Sequence, residues 1–312
     1  MMKGKDLITI HDLSFGKVAL ILETAKKLKQ MQKTGKPHRL LEGKTLAMIF
    51  HKASTRTRVS FEVGIAQLGG QALFLDNVST QMGRGEPLKD TARVLSRYVD
   101  GIMIRTFNQS DVQELADYAS VPVINGLTDA AHPCQALADI FTAQENFGNL
   151  KGRKLVYVGD GNNVAHSLMF VCAKVGMDIT LSCPKGYEVN QAMLKLAEAD
   201  IKESGSKIIL ESDPLKAAQN ADVLYTDVWA SMGQEAETAK RKKDLAAYQI
   251  NERLLKAASK DAVVMHCLPA HRGEEITEDI MEGPQSVIFD EAENRLHVQK
   301  AVMALLMSDK NF

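Results

Sequence analysis

Apolar residues at 18, 21, 22, 25 and 28, with lysines on the opposite face, predict an amphipathic helix over 11–33. The period then changes. The short apolar run TLAMIF (45–50) predicts a buried strand, and 55–68 predicts a helix ending at Gly69-Gly70. Strands follow at 72–76, 101–107 and 121–127, with helices at 88–99, 110–119 and 133–147. After the polar, turn-rich stretch NLKGRK (149–154) the alternation begins again. It predicts strands at 154–160, 178–184, 207–212, 223–227, 262–268 and 286–291. Helices are predicted between them at 163–175, 190–203, 213–219 and 247–257, and a last one at 293–308. Short apolar strands alternating with helices indicate an α/β fold of two domains, each a parallel sheet covered on both faces and linked by helices. The expected domains are 1–148, joined by the C-terminal helix 292–312, and 149–291.

The 312 residues allow two domains of about 150 each. Hydrophobic residues at 45% and charged residues at 25% are the composition of an ordinary globular protein. A net charge of −1 gives no pointer to nucleic acid or to an acidic membrane surface as partner. Cysteines stand at 134, 172, 183 and 267 with no C-x-x-C pair, which argues against a zinc centre or a disulfide framework and for reduced thiols in the cytoplasm. The start, MMKGKDLITI, has no apolar core of a secretory signal, and no run approaches the ~18 apolar residues of a membrane span.

In open parallel sheets ligands bind beyond the carboxyl ends of the strands. Polar residues at those ends are therefore the candidates. The first strand runs into HKASTRTRVSFE (51–62), where Ser54 is a good N-cap. Hydroxyls and arginine at a helix N-terminus suit a phosphate; the alternative is a plain cap with a charge pair to Glu62. Arg105 ends the third strand, and His132 and Gln135, three apart at a helix start, can face one spot. Gly159-x-Gly161 suggests a dinucleotide loop, but Val164 replaces the third glycine and the next strand ends in Cys183-Pro184 with no acid, which argues against a nicotinamide cofactor. Asn162 and Asn163 offer neutral amides suited to an amino-acid head group. Asp227 ends a later strand, ahead of Ser231, Met232 and Gly233, and His266, Cys267 and Leu268 end another. An acid beside a thiol at one crevice positions an amine; an N-cap aspartate and a buried cysteine are the alternative. Arg295 opens the last helix.

STRT, HPCQ, DVWASMG and HCLPAHRG occur together, in the order found in carbamoyltransferases, and the chain resembles that family over nearly its whole length. STRT and HPCQ resemble the carbamoyl-phosphate half shared across the family, and SMG with HCLP resembles its ornithine branch. The resemblance implies carbamoyl transfer from carbamoyl phosphate to the side-chain amine of L-ornithine, giving L-citrulline and phosphate, in arginine metabolism; the alternative is another amine such as putrescine. It implies Ser54, Thr55, Arg56 and Thr57 as the phosphate cradle, with Arg105, His132 and Gln135 clamping the carbamoyl group. Cys267, Leu268 and Arg295 complete that set, and Gln81 reaches it from a neighbouring subunit, which implies a catalytic homotrimer or a multiple of it. Asn163, Asp227, Ser231 and Met232 are the implied ornithine contacts. Arg105, His132, Asp227 and Cys267 are the implied catalytic residues, with no metal and no organic cofactor.

Overall fold

The computed structural model describes residues 2–76, 85–231 and 233–310. The chain forms two compact units, Met1–Ala138 with Asn294–Phe312, and Asp139–Glu293.

In the first unit, α1 (Phe15–Lys33) precedes β1 (Thr45–Phe50), α2 (Thr55–Gln67), β2 (Gln71–Asp76), α3 (Leu88–Leu95), β3 (Gly101–Arg105), α4 (Gln109–Tyr118), β4 (Val123–Leu127) and the start of α5 (Pro133–Phe147). Among the described residues the strands form one parallel sheet in the order β2-β1-β3-β4. Residues 46–49 and 102–104 are fully buried, as strands covered on both faces must be. Strand order reverses between β1 and β3, which makes their carboxyl ends the switch point where ligands bind in such sheets. The STRT turn follows β1, and Arg105 is in register with Phe50 at the same end.

The second unit holds the rest of α5, then β5 (Lys154–Val158), α6 (Asn163–Val175), β6 (Asp178–Ser182), α7 (Gln191–Ser204), β7 (Ile208–Leu210), α8 (Pro214–Ala218), β8 (Val223–Thr226), α9 (Thr238–Leu245), α10 (Glu252–Ala257), β9 (Val263–His266), α11 (Glu278–Met281) and the first turns of α12 (Ile288–Met307). Its described strands are also all parallel, in the order β7-β6-β5-β8-β9. Here the order reverses between β5 and β8. Val156, Val158, Leu224, Val264 and Trp229 fill the core on one face.

The alternation of strands and helices is therefore as the apolar pattern predicts, with local differences. The expected strand at 286–291 is a single bridge from Val264 to Ser286, after which α12 begins at Ile288. Asp290 and Glu291 fall in the first turn of that helix, where its dipole favours acids. α9, TAKRKKDL, carries no apolar period to announce it. The polar turn 149–154 separates α5 from β5, while the compact units divide within α5, between 138 and 139, and within α12, between 293 and 294. No helix among the described residues is long and apolar enough to cross a membrane.

Candidate active site

The first polar set gathers at the switch point of the first unit. Ser54 caps α2: its backbone is extended, and its hydroxyl oxygen accepts the Thr57 amide at 3.2 Å. Thr55 and Arg56 form the first turn, exposed and half-buried respectively. Thr57 is buried, and its hydroxyl accepts from Arg295 Nη2 at 3.3 Å. Nη1 of the same guanidinium donates to Gln135 Oε1, so α2, α5 and α12 meet through one buried arginine. Arg105 and His132 are buried at the ends of the strands beside it. The imidazole of His132 is held well below its ordinary pKa, first by burial and then by the charges of Arg295, Arg105 and Arg56. It is neutral at neutral pH and serves as an uncharged donor or acceptor. A helix N-terminus and three guanidinium groups make a positive field that suits an anion with phosphate geometry.

Arg58 does not join this set. It pairs with Glu62 at 3.0 Å, one turn on, and lies over the Phe74 ring at 3.7 Å. Lys52, which the sequence did not single out, does lie close by in the chain. It is buried, forms an ion pair with Asp129 and sits 4.3 Å above the Phe107 ring. It thereby ties the loop before α2 to the loop that carries His132. No local signal connects positions 52 and 129, so spacing could not reveal the pair.

The second polar set gathers at the switch point of the second unit. Asn162 caps α6: its Oδ1 accepts the Val164 and Ala165 amides, and its Nδ2 donates to Asp227 Oδ2 at 2.7 Å. That bond spans the reversal between β5 and β8. Asp227 Oδ1 accepts the Val228 amide at 2.8 Å and the Cys267 thiol at 2.9 Å. The thiol is pushed well above its ordinary pKa by burial and then by the Asp227 charge, so it remains S–H and donates. The acid and the thiol expected to border one crevice are thus in direct contact. Asn163 is the first residue of α6, and Ser231 lies in the loop after β8, its amide held by Gln234 Oε1 at 3.0 Å.

The loop after β9 is fixed through His266. The Leu268 amide donates to His266 Nδ1 at 2.9 Å, so the ring proton is on Nε2, which faces Glu275 Oε1 at 3.1 Å. Leu268 has φ of 57° and precedes a cis proline. Gly161 explains the incomplete dinucleotide pattern. A Cβ there would lie 2.6 Å from the Glu188 carbonyl carbon and 2.8 Å from the Tyr187 oxygen. The glycine admits the chain's own backbone, not a pyrophosphate.

Of the residues expected to hold carbamoyl phosphate, Ser54, Thr55, Arg56, Thr57, Arg105, His132, Gln135 and Arg295 are in the first unit; Cys267 and Leu268 are in the second, beside Asp227. Gln81 and Met232 lie outside the described residues. Asn162, weighed from sequence as an amide for a head group, instead orients Asp227.

Residues 5–145 match the family model for the carbamoyl-P binding domain of aspartate/ornithine carbamoyltransferases, and residues 151–306 match that for the Asp/Orn binding domain. The ornithine carbamoyltransferase of Pyrococcus abyssi is 60% identical over 306 residues, covering 98% of this chain and 96% of that protein. The anabolic ornithine carbamoyltransferase of Pyrococcus furiosus is 58% identical over 311 residues, covering 100% of this chain and 99% of that one. A solved structure of the Pyrococcus furiosus ornithine carbamoyltransferase is similar to this fold with a TM-score of 0.96, at 58% identity over 99% of both chains.

Proposed function

The chain belongs to the aspartate/ornithine carbamoyltransferase family, and on that premise we propose that it transfers the carbamoyl group of carbamoyl phosphate to the side-chain amine of L-ornithine, giving L-citrulline and phosphate. The observation that carries the choice of acceptor is the contact of Asp227 with Cys267 at 2.9 Å, at the ends of adjacent strands. A buried carboxylate draws the ammonium of ornithine out of water and orients it. The thiol beside it, kept protonated by burial and by Asp227, adds a soft partner without adding charge.

The chemistry follows from this arrangement. The ornithine amine arrives mostly protonated at neutral pH and reacts only as the neutral form, so the ammonium bound against Asp227 first gives up one proton through that carboxylate to solvent. Its lone pair attacks the carbamoyl carbon, and charge develops on the carbamoyl oxygen. Arg105, the neutral imidazole of His132 and the Thr57 hydroxyl are the groups we assign to that oxygen; one such donor contributes roughly 3–4 kcal/mol to the transition state. The carbon–oxygen bond to phosphate then breaks. The leaving phosphate keeps the electron pair, stays with Arg56 and the first-turn amides of α2, and takes up the proton the amine releases. Holding both substrates in register supplies much of the remaining acceleration.

The working unit we propose is a homotrimer. Val59 and Val63 on α2 and Leu73 on the edge strand β2 are exposed apolar residues, and an edge strand of that kind calls for a cover. Gln81 follows β2, which suits its assignment to a neighbour's site. Four free cysteines, Cys267 among them, suit the reducing cytoplasm. The role is arginine biosynthesis, as the anabolic relative suggests. The test is product formation from carbamoyl phosphate with ornithine, putrescine and aspartate in parallel. Citrulline with ornithine alone is expected; no product with ornithine overturns the proposal, and faster turnover of putrescine reassigns the acceptor.

A further inference from the structure

Two carboxylic acids stand apart from both polar sets. Asp139 and Glu291 are each fully buried. Asp139 is on α5 and Glu291 in the first turn of α12, the two helices along which the chain passes between its compact units; both acids belong to the second unit. Their carboxyls hydrogen-bond one another, which requires a proton between them. Burial, followed by the charge and hydrogen bond of Asp139, holds Glu291 well above the ordinary carboxylate range. The pair therefore shares a proton, and Glu291 is held toward its protonated form.

The two Glu291 oxygens have further duties. Oε2 accepts the backbone amide of His266 at 2.9 Å, and Oε1 accepts the Tyr225 hydroxyl at 3.2 Å. Tyr225 is on β8, two residues before Asp227; His266 ends β9, one residue before Cys267. The strands are neighbours, with Thr226 opposite His266. One side chain thus grips both strands just before the ends where the 2.9 Å contact of acid and thiol is made. An apolar residue in its place would take from the His266 amide, the Tyr225 hydroxyl and the Asp139 carboxyl the hydrogen bonds that Glu291 gives them in a dry interior.

We propose that Glu291, hydrogen-bonded to Asp139, is a positioning residue that ties the carboxyl ends of β8 and β9 together and so sets the geometry of the Asp227–Cys267 pair. Its effect on turnover rests on the carbamoyl-transfer reading; its effect on the pair does not. The charged and titratable groups around it are Asp139, Tyr225, Cys267 and Asp227.

The experiment has two arms on the full-length chain. In the kinetic arm, Glu291→Gln keeps the length, one acceptor oxygen for the His266 amide and a donor for Asp139, with the Tyr225 hydroxyl able to turn and accept from the new amide, whereas Glu291→Asp keeps the acid but is one methylene too short to hold both strands. Glu291→Gln should stay within about threefold of wild type, while Glu291→Asp should lose about tenfold or more in kcat and raise KM for ornithine more than KM for carbamoyl phosphate. A purely structural role would lower the melting temperature and leave kcat per folded enzyme intact, and that result overturns the proposal. In the second arm, alkylation of Cys267 by iodoacetamide near pH 8.5 is followed by peptide mass spectrometry. The negative charge of the acid pair helps hold the thiol protonated. Asp139→Asn takes the hydrogen-bonded partner from Glu291 and should change the alkylation rate by about threefold or more, whereas Glu291→Gln keeps a donor to Asp139 and should not. Equal rates in all three proteins overturn the link to the thiol. If wild type forms no citrulline, the reaction reading fails and the thiol arm alone decides the inference. If Glu291→Asp does not fold, the thiol arm again decides it.

Discussion

His132 is an imidazole facing three guanidinium groups, and its neutrality defines what it can do. It can offer a hydrogen bond to a developing oxyanion but cannot add a charge. Its ring resonances should show no transition through the range near 6.5 where an ordinary histidine titrates in an NMR pH series. The consequence for folding has a definite sign. With the folded pKa below the unfolded one, the unfolded chain binds the extra proton, so this contribution is complete above about pH 6.5 and is lost as pH falls below it. His132→Ala should remove that acid-side dependence from urea midpoints and slow citrulline formation about 10²–10³-fold. The arginines of the STRT turn separate in the same way. Arg56→Ala should weaken competitive inhibition by inorganic phosphate by roughly 1.5–3 kcal/mol, the worth of a charged hydrogen bond. Arg58→Ala, which loses an exposed pair with Glu62, should change it by less than about 0.5 kcal/mol. Equal effects of the two substitutions would sink the division of roles between them. Sequence spacing alone could place Arg58 opposite Glu62, because a helix brings i and i+4 together. It could not place Arg295 against Gln135, 160 positions away, since only the folded α12 and α5 make that bond.

At the scale of elements, the parallel sheets were legible because their strands are short apolar runs bounded by turns, and those runs are buried as read except in the edge strands β2 and β7. The catalytic candidates were legible because polar residues at strand ends have few structural reasons to be there. What escaped was set by tertiary context. Residues 286–291 look like a strand, yet their acids suit a helix start, and the helix won. Asn162 looked like a ligand contact and is a brace, because its partner Asp227 comes from a strand 65 positions later. Gly161 looked like the remnant of a cofactor loop, and its real constraint is a backbone segment lying over it. That constraint is testable. Gly161→Ala must push the segment at 187–189 or the turn before α6, and overpacking of this kind costs about 1–3 kcal/mol. Because Asn162 follows directly, KM for ornithine should rise while KM for carbamoyl phosphate holds. A stable variant with wild-type constants would show that the turn gives way without moving Asn162.

At the scale of the whole molecule, the chain repeats one device. Each compact unit is a parallel sheet with a switch point, and each switch point carries polar residues from the strand ends around it. The first carries the cationic set, suited to an anion; the second carries the acid and thiol, suited to an amine. The proposed trimer adds a third contributor, Gln81 from a neighbour. This makes a prediction that neither unit makes alone. Gln81→Ala and Asp227→Asn should each be nearly inactive as pure proteins. Co-expressed, they assemble as mixed trimers in which an intact site needs a chain with Asp227 beside a neighbour with Gln81. With random assembly in a closed ring, about one quarter of sites meet both conditions, so about a quarter of wild-type activity should return. If Gln81 instead serves its own chain, every site keeps one defect in any mixture and no activity returns. Specific activity across a series of mixing ratios separates the two, because the shared-site case peaks at equal amounts and the other stays flat.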